Sequence, residues 1–388
     1  MPNKVEIHGY CEKRFKPVKD AFVKNFEQGL EVGASFAIIL DGELLIDIWA
    51  GHADAARTRL WEQDTIVNVY STTKVITTLC ALMLVDRGLL DLDAPVAKYW
   101  PEFAQRGKAE IPVRYLLSHM SGLAGFSKSI SVDTLYDWDR IINLLASQKP
   151  WWQPGTKSGY HVVTFGYLLG ELIRRVTGKT VGSFLRDEIT DPLNIDFHIG
   201  LSAEHDFRVA ELIPDEIPIP QWKMALFKLV AKLPMKALMN PPISVELSKT
   251  RAWRAAEIPA ANGHGNARSI ARIGSILASG GEINNNRFLS LSTIEEAIKE
   301  QYHGPDVVFS VLGVPKTRWG LGVGLSSEQI PLGPRGFYWG GWGGSAIVMD
   351  LDQKLSIGYA MNKMNSSLTG DTRITRLVEA LVQCLTEI

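Results

Sequence analysis

Two segments near opposite ends of the 388-residue chain read as paired strands, and they constrain the fold more than anything else in the sequence. Near the start, SFAIILDGELLIDIW (35–49) holds two apolar runs around Asp41-Gly42. That dipeptide tolerates the positive φ angles of a two-residue hairpin turn. Near the end, RGFYWGGWGGSAIVMDLDQKLSIGYAM predicts strands around Phe337–Trp339, Ser345–Asp350 and Leu355–Met361. Helical patterns lie between and around them. TTKVITTLCALMLVDRG is apolar on more than one face and ends at Gly88, a residue suited to the left-handed position after a helix. A buried helix is expected there. The segment Thr372–Leu385 spaces Ile374, Leu377, Val378, Leu381, Val382 and Leu385 at helical intervals, which predicts a helix lying on a sheet.

Strands at both ends with helices between predict an α+β fold. A central antiparallel sheet, formed from both termini and flanked by helices, carries an inserted, mostly helical part. Alternating βαβ units would instead give a parallel sheet. The expected division groups residues 1–85, 165–205 and 265–388 with the sheet. It groups 86–164 and 206–264 in the insertion, with the active site in the cleft between. Pro214, Pro218 and Pro220 mark an irregular loop. The basic, amphipathic WKMALFKLVAKLPMKALM after it is expected to cover an apolar cleft rather than lie on a membrane.

Charge narrows the partners. Lys plus Arg (41) balances Asp plus Glu (42), so nothing draws the chain to nucleic acid or an anionic membrane. Cys11, Cys80 and Cys384 are far apart with no CxxC spacing, which argues against a disulfide framework or a zinc site. The opening residues MPNKVEIHGYCEKRF lack the apolar core of a secretory signal, and no apolar run is long enough to span a bilayer. A cytoplasmic protein without metal or organic cofactor is expected. Oligomeric state is not written in the sequence.

Common catalytic signatures are missing. No serine sits in G-x-S-x-G, and neither H-E-x-x-H nor G-x-x-x-x-G-K occurs. One pattern remains: Ser71 and Lys74 in VYSTTKVI, the single S-x-x-K in the chain. Residues three apart share a helix face, and a helix N-terminus favours developing negative charge while disfavouring an ammonium. A buried lysine with a depressed pKa can accept a proton from the serine. About one S-x-x-K is expected by chance in a chain this long, and a serine capping a core helix is the plainer reading.

Further blocks change the weighting. EVGASFAIILDGELLIDIWAGHAD, LVDRGLLDLDAPVAKYWPEF, VRYLLSHMSGL, PGTKSGYHVVTFGYLLGELI, NARSIARIGSILASGG and WGGWGGSAIVMD occur in order along most of the chain. Together with STTK they resemble the β-lactamase and penicillin-binding-protein superfamily, and within it the family VIII carboxylesterases. The resemblance implies a serine β-lactamase-like fold. It implies Ser71 as nucleophile and Lys74 as its helical partner. Tyr160 matches the tyrosine of the Y-x-N element, and Trp339-Gly340-Gly341 the third element, which is K-T-G in β-lactamases. The oxyanion hole would be the main-chain N–H groups of Ser71 and Trp342. Phe126 is expected in the same pocket, and His119 is read as structural.

Two departures bear on the substrate. Val162 replaces the asparagine of Y-x-N, and Trp339 replaces the lysine of K-T-G. Valine can neither hold a lactam nor orient the lysine by hydrogen bonding. An indole offers apolar surface where a lysine would meet a carboxylate. Val162, Trp339, Gly340 and Gly341 are therefore expected to bind a neutral ester with a short acyl chain, hydrolysed through an acyl-enzyme. The alternatives are a β-lactamase or DD-peptidase-like amide hydrolase, an acyltransferase using the same acyl-enzyme, and, least favoured, a non-catalytic scaffold.

Overall fold

The computed structural model describes residues 5–215, 232–328, 330–365 and 371–386. Its strands are β1 (Ile7–Cys11), β2 (Gly33–Leu40), β3 (Glu43–Gly51), β4 (Val67–Asn68), β5 (Phe197–His198), β6 (His264–Gly265), β7 (Glu282–Ile283) and β8 (Asn286–Arg287). They continue with β9 (Tyr302–Gly304), β10 (Thr317–Trp319), β11 (Gly324–Leu325), β12 (Gly336–Gly340), β13 (Ala346–Asp350) and β14 (Leu355–Met361). Nine of them form one sheet in the order β1-β3-β2-β14-β13-β12-β11-β10-β9. Its centre joins the two ends of the chain: β14 pairs antiparallel with β2, Leu355 opposite Leu40 and Met361 opposite Ala34. The Asp41-Gly42 turn closes the β2–β3 hairpin, with φ of 49° and 84°.

Strands β2 and β14 are buried along almost their whole length. Both faces of the sheet are covered there, which is why these strands read as continuous apolar runs rather than alternating ones. The helix Ala267–Ala278 packs on β2, β13 and β14. Its N-terminus carries a reciprocal cap between Asn266 and Ser269. Close approach is possible because position 358 is glycine; a Cβ there would stand 2.1 Å from the Ala267 carbonyl oxygen.

The elements around the sheet add detail to the sequence reading. The C-terminal helix runs Thr372–Thr386, with Leu377 and Leu381 buried as predicted. It packs beside the helix Lys16–Glu27, and its Arg373 guanidinium lies 5.9 Å from the centre of the Tyr359 ring on β14. Val382, on its outer side, is 52% exposed. The helix Thr73–Asp86 lies among other helices. It packs chiefly on helices Thr164–Thr177, Val181–Leu185 and Leu291–Ala297. Every residue from Thr73 to Leu84 is buried, consistent with its lack of a polar face. Strands β9 to β11, which the sequence reading did not pick out, extend the sheet through residues too short and glycine-broken to show a period of two. Of the amphipathic segment 222–239, residues 222–231 lie outside the described residues. The rest is the helix Lys232–Met239, whose Ala237 lies where a Cβ on Gly125 would be 2.8 Å from its Cα. Among the described residues no helix is long and apolar enough to cross a membrane.

Candidate active site

Ser71 sits at a strand-to-helix corner. Strand β4 pairs with β6, and the Val69 N–H donates to the Gly263 carbonyl at 2.9 Å. The chain then turns sharply at Tyr70, whose φ is +41°. A bulky residue in that region signals a conformation imposed by its surroundings. The Thr73 hydroxyl accepts from the Gly263 N–H at 2.9 Å and donates to the Tyr70 carbonyl at 2.5 Å, locking the corner. The helix begins at Thr73, and no side chain caps it. Ser71 is therefore not spent on capping, and its hydroxyl is available for other partners.

Two side chains meet that hydroxyl. Tyr160 Oη donates to Ser71 Oγ at 2.8 Å, and Lys74 Nζ lies 3.1 Å from the same atom. Lys74 is fully buried. Its amine also donates to the carbonyls of Val162 (2.8 Å) and Ala260 (2.9 Å) and stands 4.7 Å from the centre of the Tyr160 ring. Burial holds the Lys74 pKa well below the ordinary lysine value. Burial pushes the Tyr160 phenol up, opposed by its bond to Ser71. Both directions favour the uncharged pair. A neutral amine has two N–H bonds and one lone pair. With both N–H bonds on the two carbonyls, such an amine would have its lone pair left for the Ser71 hydroxyl.

This geometry corrects the reading of Val162. Its side chain does replace an amide, but its main-chain carbonyl still orients the lysine. Ala260 supplies the second carbonyl and was missed. Main-chain acceptors leave no residue signature, so no sequence pattern could have found it.

The loop after β12 comes next to the corner. Ser345 Oγ donates to the Val69 carbonyl at 2.8 Å and lies 3.0 Å from Thr72 Oγ1. A Cβ on Gly341 would stand 2.1 Å from the Val69 carbonyl oxygen, so only glycine fits that approach. Gly340 is different: it is exposed, and its nearest neighbour to a Cβ would be 3.8 Å away. Arg373 Nη2 donates to the Gly343 carbonyl at 2.8 Å and steadies the loop from behind. Among the described residues no main-chain acceptor meets the N–H of Ser71 or of Trp342. The Trp342 ring is 42% exposed and packs on Tyr70, centroids 5.0 Å apart.

The remaining expected pocket residues divide. Val162 is half-buried beside Lys74. Trp339 is not an open apolar wall: it is buried among Trp319 (5.1 Å), His119 (5.7 Å) and Tyr160 (6.0 Å). Phe126 is 1% exposed, so its ring belongs to the core. Phe309, which the sequence reading passed over, stacks on Tyr160 at 4.5 Å and stays partly exposed. His119 packs edge-on to Tyr160 at 5.1 Å, and its Nδ1 accepts from the His161 N–H. Burial drives His119 far below the usual histidine range and His161 down to about 3, so both rings are neutral packing elements. Among the described residues no group of three or more His, Cys, Asp or Glu could hold a metal ion.

A nucleophile-like serine at a helix start, a buried lysine one turn on and a tyrosine from a separate loop, beside an antiparallel sheet, define a class. The chain belongs to the Beta-lactamase family, which matches residues 22–381. It is 34% identical over 373 residues to the Esterase/beta-lactamase LipL of Mycobacterium tuberculosis, covering 93% of this chain and 84% of that protein. It is 31% identical over 201 residues to Esterase EstB of Burkholderia gladioli, covering 46% of this chain and 50% of that one. Among solved structures it superposes on a family VIII carboxylesterase with a TM-score of 0.89 and 41% identity, over 98% of this chain and 100% of the other. A penicillin-binding protein homolog from Caulobacter crescentus follows, at TM-score 0.87 and 36% identity, over 98% and 100% of the two chains.

Proposed function

We propose that the protein is a serine carboxylesterase that hydrolyses small, neutral esters through an acyl-enzyme on Ser71. The observation that carries this reading is the convergence of Tyr160 Oη and Lys74 Nζ on Ser71 Oγ. Relatives named as esterases over most or half of their length support the ester class. Trp339 supports a neutral substrate, since it brings no cation to the position where β-lactamases hold a lysine.

In the proposed cycle the Lys74 lone pair takes the Ser71 proton as Oγ attacks the ester carbonyl. The N–H groups of Ser71 and Trp342 receive the oxyanion, each such donor contributing about 3 kcal/mol. Tyr160 gives its proton to the departing alcohol, and the Lys74 ammonium restores it. Water then attacks the acyl carbon and gives up its proton to the same pair, and Ser71 leaves with a proton returned. The cycle needs no metal or cofactor. The cytoplasm is the proposed compartment, on the sparse and widely spaced cysteines.

Ser71→Ala tests the assignment. It should abolish hydrolysis of a short-chain aryl ester and covalent labelling by a phosphonate. Near-wild-type turnover in that variant would remove Ser71 as nucleophile. A chromogenic cephalosporin compared with a butyrate ester by kcat/KM tests the bond type; an equal or higher cephalosporin rate favours amide cleavage. Product analysis with added alcohols separates hydrolysis from acyl transfer.

A further inference from the structure

We propose that Asp306 is the positioning residue of this site, holding Tyr160 and the ring stacked on it as one unit. This role presupposes the ester chemistry assigned to Ser71. Asp306 is fully buried. Its Oδ1 accepts from the main-chain N–H groups of Tyr160 (3.1 Å), Val308 (2.8 Å) and Phe309 (2.9 Å). Its Oδ2 accepts from the Ser158 hydroxyl at 2.7 Å. All four donors are neutral. Burying a carboxylate on neutral donors is costly, and a group retained at that cost is a candidate for function.

Geometry gives the first consequence. One oxygen bonds both the Tyr160 and the Phe309 main chain, and the Val307 N–H donates to the Ser158 carbonyl at 2.8 Å. Segments 158–160 and 306–309 are thereby fixed together, with the Tyr160 and Phe309 rings 17° from parallel. The Oη atom is aimed at Ser71 by a carboxylate that never touches it.

Charge gives the second. The titratable groups facing the phenol are Lys74 on the Ser71 helix, His119 on the neighbouring loop and Asp306 below, with His161 next along the chain. Burial is the main reason the phenol keeps its proton, and the negative charge of Asp306 adds to it. Both histidines are held neutral. Burial thus keeps Tyr160 a proton donor at rest, and Asp306 reinforces it.

Asp306→Asn separates these roles from plain packing. Asparagine keeps an acceptor for the three N–H groups and removes the charge. The folded variant should lose at least about tenfold in kcat on a neutral aryl ester, with KM changed by less than about threefold. Its alkaline limb should move to lower pH, because the phenol ionises more readily. Wild-type kcat with an unmoved limb overturns the proposal. If the variant does not fold, Phe309→Leu replaces it, and an unchanged kcat there overturns the proposal equally. Phosphonate labelling of the wild type runs alongside. A wild type that is not labelled defeats the esterase reading itself, whereas a labelled wild type with a fully active Asp306→Asn defeats only the role of Asp306.

Discussion

The hydroxyls of Thr72 and Ser345 meet at 3.0 Å across 273 residues of chain, and this contact fastens the loop bearing Trp342 to the corner bearing Ser71. Ser345 donates to the Val69 carbonyl, so the Thr72 hydroxyl donates to Ser345. Ser345→Ala leaves the buried Thr72 hydroxyl without this partner and takes one of two donors from the Val69 carbonyl, which keeps the Thr72 N–H at 3.2 Å. The expected loss is about 1–3 kcal/mol of stability. A fall of about tenfold in kcat should accompany it as the Trp342 N–H drifts from the oxyanion. Chemical denaturation and steady-state kinetics on an aryl ester measure the two effects. Unchanged kcat in the destabilised variant would mean that the loop supplies no oxyanion donor.

Lys74→Met should trade function for stability. The Lys74 pKa is depressed in the folded protein, while the unfolded chain titrates near about 10.4. Between those two values the unfolded chain binds more protons, so native stability rises with pH through that window. At neutral pH the cost of burying the amine is still in force. Methionine removes it, so the variant should melt higher than wild type at pH 7. The gap should shrink as pH approaches about 10.4, while esterase activity is lost throughout. Melting curves across that pH range provide the check. A variant less stable than wild type at pH 7 would contradict the neutral, desolvated amine.

Gly340 and Gly341 are neighbours with opposite tolerances. Gly341→Ala places a methyl 2.1 Å from the Val69 carbonyl oxygen, in the corner holding Ser71, and 2.2 Å from Ser345 Oγ, which fastens the loop to that corner. About 1–3 kcal/mol of stability and most of the activity should go. Gly340→Ala meets nothing closer than 3.8 Å, so the fold should hold. Any change there should fall on KM for bulky esters. Thermal melts and an acyl-chain series on both variants distinguish them.

Trp339 cannot simply be exchanged for the lysine of β-lactamases. It is enclosed by Trp319, His119 and Tyr160, so an ammonium there would be buried without an anion. Trp339→Ala should cost about 3–5 kcal/mol by leaving a cavity. Trp339→Lys should be at least as unstable and should gain no rate on a carboxylate-bearing ester. Faster turnover of the anionic ester by Trp339→Lys would show that the position reaches the substrate directly.

The sequence by itself determined the sheet's central hairpin, the strands near the other end and the buried Ser71 helix. Each is a local pattern: Asp41-Gly42 at a turn, apolar runs covered on both faces, a helix without a polar side. It also brought Ser71 and Lys74 together, because residues three apart meet across one turn at a helix start, although the helix itself begins only at Thr73. Tertiary structure decided the rest. The Lys74 amine is oriented by the carbonyls of Val162 and Ala260, groups every residue carries. The ring of Phe126 went to the core and Phe309 took a place beside Tyr160, since only packing tells an apolar core residue from an apolar cleft residue. Asp306 lies 146 residues from the Tyr160 it positions, and strands β9 to β11 near it are too short to show a period. The bland reading of VYSTTKVI, a serine capping a core helix, fails for the same reason. The helix starts at Thr73 without a side-chain cap, and the hydroxyl of Ser71 is turned to Lys74 and Tyr160 by contacts from distant parts of the chain.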